Sequence, residues 1–97
     1  MKASFSSAAE RDVKRALDYY KREAGASIAL DLVAQIEAKI KLILANPLAY
    51  QIVTRDLRCV NLRSFPYQIV YRIGSTETIR IVSLRHHRQH PDFGLKR

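Results

Sequence analysis

The sequence predicts an α+β fold, with an N-terminal helix hairpin packed on one face of a small, mostly antiparallel twisted sheet. Three observations lead there: a helical repeat of apolar residues before Pro47, a period of two after it, and a length of 97 residues. That length accommodates one domain, 1–97, with a single modest core, and the 47% hydrophobic content is ordinary for a folded globular chain.

A short opening strand is expected at Lys2–Phe5. Ser7-Ala8-Ala9-Glu10 then has the serine-to-glutamate spacing of a capping box, in which each side chain satisfies an orphan N–H at a helix start. Ala9, Val13, Ala16, Leu17 and Tyr20 recur at three- and four-residue steps on one face of the first helix. Lys14, Arg15, Asp18, Lys21 and Arg22 form its wet side, and Gly25 closes it in a left-handed conformation. From about Ser27 a second helix carries Ile28, Leu32, Ile36, Ile40, Ile43 and Leu44. It stops at Asn46-Pro47, because the residue before a proline is pushed out of helical geometry. So short a connection predicts an antiparallel hairpin.

Beyond Pro47, strands are expected at Leu57–Leu62, Tyr67–Ile73 and Thr78–Leu84. In Tyr67–Ile73 the odd positions are apolar or aromatic, as in a strand with one face on a core. Ser64-Phe65-Pro66 and Gly74-Ser75-Thr76-Glu77 supply the turns, for three or four strands after the hairpin. The shared core then draws on Val13, Leu17, Tyr20, Leu32, Ile36, Ile40, Ile43, Ile69, Tyr71 and Ile81. Tyr67 and Tyr71 share the face of Ile69 and Ile73, which assigns them to the core with their hydroxyls on polar partners, whereas Tyr50 falls in a loop.

The formal net charge of +8 is unevenly placed. Residues 1–48 hold eight Lys/Arg against six Asp/Glu, and residues 49–97 nine against three, so +6 belongs to the sheet half. Such a field speeds encounters with nucleic acid or with an acidic protein. The single cysteine, Cys59, excludes an intramolecular disulfide and a multi-cysteine zinc site, and it reads as a small apolar strand residue. Neither a signal-peptide core nor a run of ~20 apolar residues is present, so a cytoplasmic protein without membrane contact is expected.

The last strand runs into Arg85-His86-His87-Arg88-Gln89-His90-Pro91, a cationic tip. Cutting RNA at a 2′-hydroxyl needs a base, an acid and cations for the charge on phosphorus. His86, His87 and His90 suit the first two roles, and Arg63, Arg72, Arg85 and Arg88 the third. Arginine clusters bind carboxylates as readily as phosphates, so a protein-binding tip calls for the same residue types. No Asp, Glu or Cys near the histidines completes a metal site, and no phosphate loop or nucleophile elbow occurs; no cofactor or metal is expected.

The segment Leu62-Arg63-Ser64-Phe65-Pro66-Tyr67-Gln68-Ile69-Val70-Tyr71-Arg72-Ile73, followed by Ile79-Arg80-Ile81-Val82-Ser83-Leu84-Arg85-His86-His87-Arg88-Gln89-His90-Pro91, resembles the C-terminal sheet of the RelE/ParE superfamily. These are toxins of type II toxin–antitoxin modules, often labelled plasmid stabilisation proteins. The layout upstream is similar too: an opening strand, a Ser-x-x-Ala-x-x-Asp helix start near Ser6–Asp12, a helix hairpin, and Asn46-Pro47 at its end. The resemblance implies a growth-arresting toxin held by a cognate acidic antitoxin. RelE-like members cut messenger RNA on the ribosome with lysines on the strand before the turn, an arginine just after its tyrosine, an arginine beyond the last strand and a tyrosine near the end. Here the matching positions hold Cys59 and Asn61, Gln68, His87 or Arg88, and Phe93. ParE-like members poison DNA gyrase by binding it and carry no such set, so the resemblance is closer to that branch. The expected target-binding surface is Arg63, Arg72, Arg85, His86, His87 and Arg88, of which the resemblance places the tip Arg85-His86-His87-Arg88 where the superfamily meets its targets and charge adds Arg63 and Arg72. The alternative is a RelE-like, ribosome-dependent messenger-RNA endonuclease with His87, Arg88 and His90 as its catalytic candidates.

Overall fold

A computed structural model describes residues 2–75 and 77–88. Among them the elements are β1 (Lys2–Phe5), α1 (Ser7–Ala24), α2 (Ala26–Ala45), β2 (Ile52–Thr54), β3 (Leu57–Asn61), β4 (Tyr67–Ile73) and β5 (Thr78–His86). The strands form one sheet in the order β1-β5-β4-β3-β2. β1 is parallel to β5, and the other neighbours are antiparallel. The α+β class and the mostly antiparallel sheet expected from the sequence are both present.

Four differences from the sequence reading have physical causes. The cap of α1 is Ser6, not Ser7: Ser6 is extended (φ −68°, ψ 159°) and its Oγ accepts the Ala9 N–H at 3.0 Å. The Ser6 N–H also donates to the Ile81 carbonyl at 2.9 Å, so the register between β1 and β5 extends through this residue and the helix starts one position later. The connection between the helices is Gly25 alone, at φ 95° and ψ 166°, a region that side chains with a Cβ avoid, so α2 begins at Ala26. β2, the first strand after the hairpin, brings the number there to four; it has three residues, two of them exposed, and offers no apolar alternation to read. Finally, β5 runs beyond Leu84 to His86, because Gln68 and Tyr67 continue the ladder opposite Arg85 and His86.

The helices lie against one face of the sheet. Ala9, Ala16, Leu32, Ile36 and Ile43 bury against Val60, Leu62, Phe65, Ile69, Tyr71, Ile79, Ile81 and Leu84, while Val13, Leu17, Tyr20, Ile40 and Tyr50 pack at the margin, half-buried. Tyr71 is fully buried and donates its hydroxyl to the Pro47 carbonyl at 2.6 Å, which ties the end of α2 to β4. On the opposite face Leu57, Val70 and Val82 are also buried, with Val53 and Cys59 against them. The alternation along β3 and β4 thus serves two apolar clusters.

One buried carboxylate fastens α1 to β5. Asp12 is 3% exposed, and its Oδ2 accepts the Leu84 N–H at 3.1 Å and the Ser83 hydroxyl at 3.3 Å. The ladder shifts here, with Val70 opposite Ser83 and Tyr71 opposite Ile81, so Val82 has no opposite residue. The sequence reading used Asp12 only as part of a helix-start pattern.

Candidate functional site

β5 positions the tip. His86 is its last residue and stacks edge-on against Tyr67, with ring centroids 5.0 Å apart. Tyr67 in turn meets Tyr20 of α1, which packs edge-on against Phe65 at 5.1 Å, so aromatic rings continue from the first helix to the end of the sheet. The chain then turns under control of two hydrogen bonds: the His87 N–H donates to the Pro66 carbonyl at 2.9 Å, and the Arg88 N–H to Nδ1 of His86 at 2.9 Å. An open cleft of about 770 Å³ results, with Arg15 and Tyr19 on the α1 side and His86, His87 and Arg88 on the other.

The charge of this cleft rests on arginine. His86 accepts a hydrogen bond at Nδ1, and its pKa is lowered from 6.5, first by burial and then by the nearby Arg88 and His87. Burial also raises the Tyr20 and Tyr67 hydroxyls, which stay neutral. The cleft therefore offers guanidinium groups of fixed charge beside neutral rings that stack or donate hydrogen bonds.

On the helix-free face of the same end lies a polar cluster. Gln68 of β4 donates from Nε2 to Asn61 Oδ1 at 3.0 Å and to Cys59 Sγ at 3.8 Å, and its Oε1 accepts from both Nε (2.9 Å) and Nη2 of Arg85. The His87 Nε2 lies 3.3 Å from the same Asn61 oxygen. Gln68 thus uses both ends of its amide to hold strands β3 and β5 together. Burial pushes the Cys59 thiol up, against the pull of the Arg85 guanidinium, and a thiol so placed is a poor nucleophile.

Of the residues expected to meet a target, the structure brings together Arg85, His86, His87 and Arg88. Arg72 stands opposite Leu57 and Arg80, toward the far end of β4 from Tyr67. Arg63 lines a depression on α2 with Gln35 and Leu42. His90 and Phe93 lie outside the described residues. Sequence reasoning missed Arg15, which it placed on the wet face of α1: its guanidinium is exposed at the cleft and 3.5 Å from Asp12. Its spacing of three from Asp12 was the available signal. Among the described residues no group of three or more His, Cys, Asp or Glu could hold a metal ion, and no helix is long and apolar enough to cross a membrane.

The family model for the ParE toxin of type II toxin–antitoxin systems, parDE, matches residues 3–91, from β1 through the basic tip. The chain belongs to the ParE toxin family. Among solved structures it is similar to the chromosomal ParDE toxin–antitoxin system of P. aeruginosa, with a TM-score of 0.76 at 22% identity, covering 89% of this chain and 95% of that one. The intact E. coli RelBE toxin–antitoxin complex follows with a TM-score of 0.62 at 19% identity, covering 90% and 96%. The isolated E. coli RelE toxin gives 0.58 at 19% identity, covering 97% and 92%. At such identities the likeness is one of fold. Comparison with curated proteins gives no match. The RelE/ParE superfamily and its ParE-like branch, expected from the strand and tip residues, are thus both supported, and the fold of this ParE family member is that of its neighbours.

Proposed function

We propose that this ParE family chain is the toxin of a type II module, that a cognate acidic antitoxin holds it inactive, and that it arrests growth in the cytoplasm by binding and blocking DNA gyrase. The observation that carries the gyrase reading is the Gln68 amide network. In RelE-like toxins the resemblance puts lysines and an arginine at the positions held here by Cys59, Asn61 and Gln68. The network occupies that place with neutral groups bonded to each other, and the one arginine in it, Arg85, is turned onto Gln68. Cations free to meet a scissile phosphate are what a nuclease needs there. A binding tip instead needs fixed charge and rigid aromatic surface, and the cleft supplies both through Arg88, Arg15, Tyr19 and Tyr67.

The antitoxin reading rests on the +6 balance of residues 49–97 and on two features of α1 and β1. β1 is an edge strand, open to strand addition. Beside it Phe5, Val13 and Leu17 line a groove of about 460 Å³, rimmed by Lys14 and Lys21 together with Glu10 and Asp18, the last paired with Lys14 at 2.8 Å, into which an amphipathic helix fits.

The test compares Arg88→Ala with His87→Ala for growth arrest in cells. Arg88→Ala is expected to relieve arrest, since its charge persists at neutral pH, and His87→Ala to leave most of it. Loss of arrest on His87→Ala together with loss of transcript cleavage would favour the endonuclease instead.

A further inference from the structure

We propose that the outer face of α2 is a homodimer interface, closed by a second copy of this chain packed antiparallel across it. α2 buries Leu32, Ile36 and Ile43 against the sheet, and a helix of that kind ordinarily turns charge to solvent on its other side. Here the other side carries leucine as well as charge: Leu30 is 67% exposed and Leu42 50%, with Ala34 and Ala38 exposed between them and Asp31, Glu37 and Lys41 exposed beside them. A depression of about 340 Å³, bounded by Ala38, Leu42 and Arg63, runs beside this face.

The occupant follows from the order of residues along the helix. A two-fold axis beside Ile36 brings Leu30 of one copy level with Leu42 of the other, Ala34 with Ala38, and Ser27 with Ala45. The same axis sets Asp31 against Lys41. Every contact occurs twice, as an isologous interface requires. Small residues at the centre let the two helices approach closely, while the leucines cover the ends. A parallel arrangement would set Asp31 against Asp31 and Lys41 against Lys41, so the charges select the antiparallel one. Asp31 and Glu37 beside Lys39, Lys41 and Arg63 leave this face nearly balanced in charge, which suits a second copy better than a strongly acidic partner. A single helix pair buries little area, which makes the dimer weak and dependent on concentration. The inference is independent of gyrase and of the antitoxin, since neither the tip cleft nor the groove beside β1 includes an α2 residue.

Sedimentation equilibrium of the full chain over a range of concentrations, with circular dichroism to verify folding, tests the pairing. Asp31, Lys41 and Ala38 are exposed, so substitutions there leave the core alone. The wild type is expected to dimerise, Asp31→Lys and Lys41→Asp each to weaken the dimer about tenfold by turning two attractions into repulsions, and the double exchange to restore it. Ala38→Glu is expected to abolish it. A wild type that stays monomeric throughout, a dimer indifferent to these changes, or a double exchange that does not rescue would each overturn the proposal. So would capture of this face by an antitoxin peptide whose binding Ala38→Glu destroys.

Discussion

The charge at the tip is set by how each residue there is held. His86, wedged against Tyr67 and accepting the Arg88 N–H, has a pKa below 6.5, so its neutral form is the one the fold favours. A group whose folded pKa is depressed, here a base kept neutral, contributes stability that is present above about pH 6.5 and is lost as pH falls through the folded value. The acid limb of the stability curve below that pH is therefore expected to flatten in His86→Gln, measured by thermal melts across the range; an unchanged limb would mean that the ring is not held neutral. Asp12 acts at the same scale. Removing its carboxylate in Asp12→Ala strands the buried Leu84 N–H and Ser83 hydroxyl, at an expected cost of about 2–3 kcal/mol in urea unfolding. Ser83→Ala, which removes only the longer of the two bonds, is expected to cost less. A shared value for both variants would show that the Leu84 bond contributes nothing.

Among the elements, those read most directly from the sequence had one strong periodic face. β4 spans Tyr67–Ile73 as expected, because its alternation feeds a full core on one side. α2 was located to within a residue by Leu32, Ile36 and Ile43. The junctions were harder to read, since the choice between Ser6 and Ser7 as cap depends on the hydrogen bond from the Ser6 N–H to Ile81, a contact between distant parts of the chain. β2 was invisible because three edge residues carry no pattern of their own. Two substitutions check this level in chemical denaturation. Ser6→Ala is expected to cost about 1 kcal/mol, with Ser7→Ala near neutral. Ile36→Ala, at a site 5% exposed, is expected to cost about 2–5 kcal/mol. The reverse order for the two serines would restore the cap to Ser7.

For the molecule as a whole, the fold and the family were legible and the site only in part. Arg85, His86, His87 and Arg88 are consecutive, so one strand end delivers them together. Arg63 and Arg72 were grouped with them on charge alone, and the strand register carries Arg72 toward the other end of β4. The uneven charge has its own consequence: affinity for the antitoxin is expected to fall as salt rises, mainly through slower association, and a binding rate flat with ionic strength would remove the basic half from the account. The central claim is that this ParE family toxin binds its target instead of cutting one. The most direct measurement adds the purified wild-type protein in parallel to a gyrase supercoiling assay and to translating ribosomes. Inhibition of supercoiling with transcripts left whole is the expected result, and cleaved transcripts with supercoiling untouched would contradict it.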